Sequence, residues 1–271
     1  MSTLYIVPTP IGNLEDITLR ALRVLREVKL IAAEDTRTSR KLLEHYEINT
    51  HLTSYHEHNK LTRSEMIFEI LGQGDDIALI SDAGTPGISD PGYELIQQAI
   101  AAGVNIVSLP GATAITTALV ASGLPTDSFL YLGFLPRKYQ AQRDLLVELQ
   151  PLRYTLVFYE SPNRLVESLH AVLEIMGDRQ AVVAREITKF YEEFKRDFVS
   201  ALIDYFTENP PRGEITLVIE GSIHDPDDWT ETQVRKAMHD LLENGEKRSA
   251  AAKIVAEQSG WDRRDIYDLD I

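Results

Sequence analysis

The 271-residue chain has no cysteine, which excludes disulfides, thiolate metal sites, iron–sulfur clusters and a cysteine nucleophile. Positive charge is in short supply. Against 42 Asp and Glu stand 27 Lys and Arg, a formal −15, so bulk electrostatics cannot hold bare nucleic acid to it. The longest stretch without a charged side chain, residues 95–126, contains Gly103, Pro110, Gly111 and Pro125 and does not read as a membrane span. Three signatures are missing: the phosphate-binding Gly-x-x-x-x-Gly-Lys-[Ser/Thr], the dinucleotide-binding Gly-x-Gly-x-x-Gly and the hydrolase Gly-x-Ser-x-Gly. Four histidines, His45, His51, His56 and His58, fall close together, but without cysteine or a His-Glu-x-x-His spacing they read as loop and surface residues, and no metal is expected. The N-terminal residues lack a basic leader and pass at once into a β-type run, so the expectation is a cytoplasmic protein with no signal segment.

What is present is an alternation. Short apolar runs at residues 4–7, 30–33, 77–80 and 104–109 read as strands, with helical periodicity between them. Over residues 18–28, Leu19, Leu22 and Leu25 recur at three-residue spacing while Arg20, Arg23 and Glu27 face away. This is the pattern of an amphipathic crossover helix, and its repetition predicts a mostly parallel sheet covered by helices. After Pro125 the strand candidates crowd together, at residues 129–132, 155–159, 181–184, 191–199 and 215–220. Fewer helices separate them, so the second sheet is expected to be mixed. A polar segment at residues 224–228 reads as a linker to a helical tail that begins near Thr230. The expected division is an α/β domain over 1–115, a second over 116–222 and a helical extension over 223–271. Residues 233–264 of the tail carry seven Lys and Arg against five Asp and Glu, whereas residues 1–224 carry 20 against 30.

Three junctions at predicted strand ends are rich in Gly, Pro and small polar residues, and the carboxyl edge of an open parallel sheet is where ligands bind. The first runs from Pro8 to Thr18, with Gly12 available for a sharp turn and Thr18 as a helix cap. The second, Ser81 to Gly92, combines three glycines, two prolines and two carboxylates, with Asp82 at the strand tip; it is too specialised for a simple connection. In the third, Pro110-Gly-Ala-Thr-Ala, small residues open a helix whose free amides suit an anionic group such as a carboxylate. Close helix–sheet packing would explain the same residues.

Together with these loops, Ala33-Glu-Asp-Thr-Arg37, Phe158-Tyr-Glu-Ser-Pro162, Arg185-Glu-Ile-Thr188 and Gly213-Glu-Ile-Thr-Leu217 resemble the ribosomal RNA small subunit methyltransferase I family. Its members methylate the 2′-hydroxyl of a cytidine in 16S ribosomal RNA. They belong to the wider tetrapyrrole-methylase superfamily, whose two α/β domains hold S-adenosyl-L-methionine between them. The resemblance covers residues 4–221 almost continuously. The tail from Lys247 to Tyr267 is similar to the helix-turn-helix extension of the RNA-directed branch, an RNA-docking module or else a cap on the core. The first loop departs from the superfamily's usual glycine-rich form, with prolines in two places.

The resemblance implies a tetrapyrrole-methylase-like fold, S-adenosyl-L-methionine as cofactor, and cofactor contacts at Ile11, at Asp82, Ala83, Gly84 and Thr85, at Thr113 and Ala114, at Tyr159 and Glu160, and at Ile187. It also implies a homodimer. Methylating a ribose hydroxyl calls for a general base and a cation near the developing oxyanion. Glu34 and Asp35, with Arg185 and Lys189 as electrostatic partners, are the candidates, although Glu34 to Arg37 could equally be a capped helix start with an ion pair. Tyr55, His56 and Asn59, Arg137 to Tyr139, and Lys189 with Tyr191 form candidate RNA-facing rims. The acidity points to a substrate in which shape dominates, the assembled small subunit rather than naked RNA. Two rivals stay open: methylation of a tetrapyrrole or corrin precursor, and a non-enzymatic RNA-binding assembly factor.

Overall fold

A computed structural model describes residues 2–56, 59–222 and 229–269, without the side chains of residues 60 and 61. The expected linker at 224–228 and His58 lie outside the described residues. In the first half, strands β1 (Thr3–Ile6), β2 (Leu30–Ala33), β3 (Leu52–Ser54), β4 (Ile77–Ile80) and β5 (Asn105–Ser108) form a parallel sheet in the order β3-β2-β4-β1-β5. Parallel strands need crossovers. These are supplied by α1 (Leu19–Glu27), α2 (Thr36–His45), α3 (Lys60–Gly72) and α4 (Tyr93–Ala101). Strand side chains alternate between two buried faces. Ile31, Ala33, Ala78 and Ile80 join the core under α1 and α2, while Leu30, Ala32, Ile77 and Leu79 join the core under α3 and α4.

Helix α1 starts where expected, the Thr18 hydroxyl accepting from the Ala21 amide at 3.0 Å, but its buried stripe is Ala21, Leu22, Val24 and Leu25. Leu19, placed in that stripe by periodicity, is exposed. As the first helical residue it projects ahead of the sheet, and Ala21 and Val24 complete the packed face instead.

The second sheet contains β6 (Phe129–Phe134), β7 (Thr155–Glu160), β8 (Gln180–Arg185), β9 (Glu193–Phe198) and β10 (Ile215–Ile219), in the order β6-β7-β10-β8-β9. Only the β6–β7 pair is parallel, so the sheet is mixed. One face packs on α6 (Tyr139–Leu149), α7 (Leu165–Met176) and α8 (Val199–Glu208) through Leu156, Phe158, Val183 and Leu217. The other face, through Val157, Val182, Ala184 and Val218, receives α5 (Ala114–Ser122). Helix α5 follows β5 directly, so the chain leaves the first sheet at the third loop and begins the second unit there.

The tail forms α9 (Glu231–Glu243), α10 (Arg248–Ser259) and α11 (Arg263–Asp268). Val234, Met238, Ala251, Ala252, Val255 and Ile266 give these three helices a core of their own. Thr230 and Gln233 close a reciprocal cap at the start of α9, and the Trp261 indole donates to the Trp229 carbonyl at 2.7 Å. None of the described helices is long and apolar enough to cross a membrane.

Candidate functional site

Because β1, β2, β4 and β5 run parallel, the loops that follow them emerge at one edge of the first sheet. The first and second loops are joined as a miniature ladder: the Thr9 amide donates to the Gly84 carbonyl at 2.9 Å and the Gly84 amide to the Thr9 carbonyl at 3.0 Å. At the third loop, Gly111 lies so close to Pro8 that a Cβ there would come within 2.6 Å of the proline ring. In the second sheet, Ile215 pairs with Glu160 on one side and Arg185 on the other. The ends of β7 and β8 and the start of β10 therefore meet at a single edge, and this edge faces the loops of the first sheet.

Between them is a cavity of about 390 Å³, within the range of small-molecule sites. Ile11 and the run Asp82 to Thr85 line it from the first sheet, Thr113 and Ala114 from the opening of α5, and Tyr159, Glu160 and Ile187 from the second sheet. All ten positions singled out as cofactor contacts thus surround one space. The N-terminal turn of α5 offers it amides that the helix itself leaves unpaired; Thr113 caps the helix with its backbone rather than with a side-chain hydrogen bond.

The contact across the cleft is tight at Gly12. A Cβ at this residue would lie 2.6 Å from Lys189 Cγ and 2.6 Å from Thr188 Oγ1. Gly12 is needed for this close approach rather than for the sharp turn expected from sequence, since its φ is not positive. The Asn13 amide adds a hydrogen bond to Thr188 Oγ1 at 3.0 Å.

The cavity is strongly acidic. Glu34, Asp82, Asp90 and Glu214 all line it. Burial, reinforced by the Asp82 charge, pushes the Glu34 carboxyl up, and burial does the same to Asp82. Asp90 is pushed up to about 7, first by burial and then by the charge of Glu34, while the Ser81 hydroxyl works in the opposite direction. Burial and the neighbouring Tyr131 also raise the Tyr159 phenol. A cation entering this space would relieve the mutual repulsion. The wall also carries apolar and aromatic side chains, Ile11, Ile88, Phe134, Tyr159 and Ile187 among them, beside the hydroxyls of Thr85, Ser89, Thr113, Ser161 and Thr216. The Tyr159 ring packs edge-to-face with Tyr131 and Phe134 at 5.2 and 5.6 Å, and Tyr131 bonds Ser89 at 2.6 Å across the cleft.

Glu160 has a structural duty. It is only 2 % exposed, and its carboxylate accepts from the Ser161 amide at 2.7 Å and the Ser168 hydroxyl at 2.6 Å, with Arg164 at 3.5 Å. These partners shape the turn after β7 and tie it to α7.

Of the four catalytic candidates, Glu34 alone lines the cavity. Asp35 caps α2 and is held at about 2 by Arg37, whose guanidinium lies 2.7 Å away. Arg185 bonds Glu193 at 2.6 Å, and Lys189 bonds Glu186 at 2.9 Å and Glu214 at 3.0 Å. Burial alone would lower the Lys189 ammonium, but the two carboxylates prevail and raise it. Asp90 and the segment Gly213–Thr216 were not singled out from sequence. Two signals pointed to them: the second carboxylate of the Ser81 loop and the Gly213 motif itself. His45 and His51 are exposed and His56 is half-buried. Among the described residues, three potential metal ligands converge only at exposed His239, Asp240 and Glu243.

Comparison with known proteins gives concordant results. Residues 3–203 match the family model described as Tetrapyrrole (Corrin/Porphyrin) Methylases. The chain is 47 % identical to the ribosomal RNA small subunit methyltransferase I of Halalkalibacterium halodurans, over 98 % of its own length and 94 % of that protein. It is 45 % identical to the protein of that name from Bacillus subtilis, over 99 % and 94 %. Among solved structures, a cobalt precorrin-4 methyltransferase of cobalamin biosynthesis superposes with a TM-score of 0.60 at 18 % identity, covering 80 % of this chain and 94 % of its own. A diphthine synthase superposes with a TM-score of 0.61 at 14 % identity, covering 83 % and 92 %. At such identities these two likenesses speak to the fold alone.

Proposed function

Because the chain belongs to the tetrapyrrole methylases and, within them, to the ribosomal RNA small subunit methyltransferase I family, we propose that it methylates the ribose 2′-hydroxyl of a cytidine in 16S ribosomal RNA within the assembled small subunit. S-adenosyl-L-methionine is the methyl donor. The carrying observation is that the ten expected cofactor positions, drawn from three first-sheet loops and two second-sheet strand ends, enclose one cavity.

The residues fit that cofactor. The opening of α5 at Thr113 and Ala114 suits a carboxylate. Ile11 and Ile187 offer apolar walls, and Asp82 with its acidic neighbours favours a ligand of net positive charge. When bound, the cofactor supplies an electrophilic methyl on a sulfonium sulfur. The protein's part is then positioning, exclusion of water and proton removal. Of the four candidates read from sequence, we assign the general base to Glu34, because it alone of them lines the cavity and burial raises its carboxyl toward the range where a base works best. Lys189 and Arg185, each already paired with carboxylates, hold the second-sheet loop that closes the cleft. Asp35 anchors the Glu34 turn.

The rest of the reading follows from charge and partition. A net charge of −15 favours a structured ribonucleoprotein over naked RNA, with the target nucleotide splayed from its neighbours. The helical extension at 223–271 serves docking, the domains at 1–115 and 116–222 hold the cofactor, and the molecule works as a cytoplasmic homodimer.

The test is methyl transfer from labelled S-adenosyl-L-methionine to unmethylated small subunits, naked 16S RNA and a tetrapyrrole precursor in parallel. Label in 2′-O-methylcytidine from subunits is the expected result. Label in a base, equal labelling of naked RNA, or label in the tetrapyrrole alone would each overturn part or all of it.

A further inference from the structure

The loop between β8 and β9 carries two adjacent aromatic side chains that pack into no core. Phe190 is 92 % exposed and Tyr191 70 %, and their rings meet edge-to-face at 5.0 Å and 88°. Exposing two large rings side by side forgoes the burial that such side chains ordinarily gain. The loop beneath them is fixed. The Asn13 amide donates to Thr188 Oγ1 at 3.0 Å, the Thr188 amide donates to Glu192 at 2.6 Å, and Lys189 reaches Glu186 and Glu214. Glu186 and Thr188 hold left-handed backbone at φ 50° and 67°, a conformation that persists only where its surroundings enforce it. Ile187 and Glu214 line the cofactor cavity, so the pair follows a cavity wall by three and four residues along the same loop.

We propose that Phe190 and Tyr191 form a stacking platform for an unpaired base of the RNA substrate next to the nucleotide being methylated. The inference rests on the function proposed above. A perpendicular ring pair uses one edge and one face in its own contact and leaves a face on each ring open to a base. Stacking also suits this locality because it requires no positive charge. The loop's Lys189 and neighbouring Arg185 are engaged by carboxylates, and a phosphate would meet Glu186, Glu192 and Glu193 instead.

The experiment compares wild type with three double variants in steady-state methylation of unmethylated small subunits, alongside calorimetric binding of S-adenosyl-L-methionine and sedimentation. Phe190→Ala with Tyr191→Ala is expected to raise KM for subunits about tenfold or more, as loss of base stacking implies. In that variant kcat, cofactor affinity and oligomeric state should stay as in wild type. Phe190→Tyr with Tyr191→Phe keeps both rings and should keep KM. Phe190→Leu with Tyr191→Leu keeps apolar surface without a ring face and should behave like the alanine pair. Unchanged KM in the alanine pair, full function in the leucine pair, or a changed oligomeric state in the alanine pair would each overturn the platform. If wild type methylates neither subunits nor 16S RNA, the functional reading falls and takes the platform with it; an active wild type with an unaffected alanine pair removes the platform alone.

Discussion

The backbone amide of Asp35 donates to the Asp82 carboxylate at 3.0 Å, which joins the turn after β2 to the loop after β4 beside the cavity that Asp82 lines. Asp82 is thus both an anchor for the turn that carries Glu34 and a negative wall of the site. The two duties separate by substitution. Asp82→Asn retains an oxygen to accept from Asp35 but removes the charge, whereas Asp82→Ala removes both. We expect Asp82→Asn to melt close to wild type yet bind S-adenosyl-L-methionine several-fold more weakly, and Asp82→Ala to lose about tenfold or more. Calorimetric titration of the three proteins, with thermal melts in parallel, checks this; equal affinity in all three would remove Asp82 from the site.

Gly12 supports a second prediction. With Lys189 and Thr188 each 2.6 Å from the place a Cβ would occupy, Gly12→Ala must push the β8–β9 loop away from the first loop. Overpacking of this kind costs about 1–3 kcal/mol. The displacement also opens the cleft, so cofactor affinity should fall together with Tm. An Ala variant that binds and melts as wild type would show that the loop yields freely.

The strand–helix alternation and the two buried faces of the first sheet were legible because strand periodicity and the run of crossover helices depend on local sequence alone. Strand β3 escaped notice because three residues are too few to show a period. Leu19 misled because a leucine at the right spacing can still lie ahead of the packed surface. The cavity walls were legible as motifs, but the roles within them were not. Asp90 comes into the cavity only because its loop curls back through Ser89 and Gly92, both at positive φ, a path no spacing rule reveals. Lys189, expected as an electrostatic partner near the developing oxyanion, has its ammonium bound instead by Glu214, 25 residues away in sequence, a pairing no spacing shows.

Glu160 gives a test of structure rather than chemistry. Its buried carboxylate serves the Ser161 amide, the Ser168 hydroxyl and Arg164, so Glu160→Ala leaves three polar groups short of a partner. Breaking a buried charged network of this kind costs about 3 kcal/mol, and unfolding in denaturant should show a loss of that size. Glu160→Gln, which can still accept from two of them, should lose less. A fully stable alanine variant would mean that water replaces the carboxylate without cost.

The helical tail has its own core, and Trp229 and Trp261 are joined within it. A chain ending at Ser222 is therefore expected to keep cofactor affinity and to shift in Tm by less than about 4 °C, while methylation of small subunits falls. Loss of cofactor binding on truncation would instead make the tail part of the central fold.

Asp90 makes the pH dependence specific. Its carboxyl is pushed up to about 7 by burial and by Glu34, well above the ~3.9 of an unfolded chain. Below about pH 4 both states are protonated and the residue contributes nothing. Between that point and pH 7 the unfolded chain releases the proton while the folded one keeps it, so stability declines as pH rises and levels off above 7. Asp90→Asn removes the decline: it should match wild type at pH 4 and exceed it at pH 8, by a margin on the order of 2 kcal/mol after solvent screening. A cationic ligand in the cavity favours the ionised carboxylate, so cofactor binding to wild type near pH 7 should release protons and strengthen from pH 6 to 8. Calorimetry in buffers of different ionisation enthalpy measures that release directly. Its persistence in Asp90→Asn would transfer the linkage to Glu34 and Asp82, the cavity carboxyls that burial and a neighbouring charge also raise.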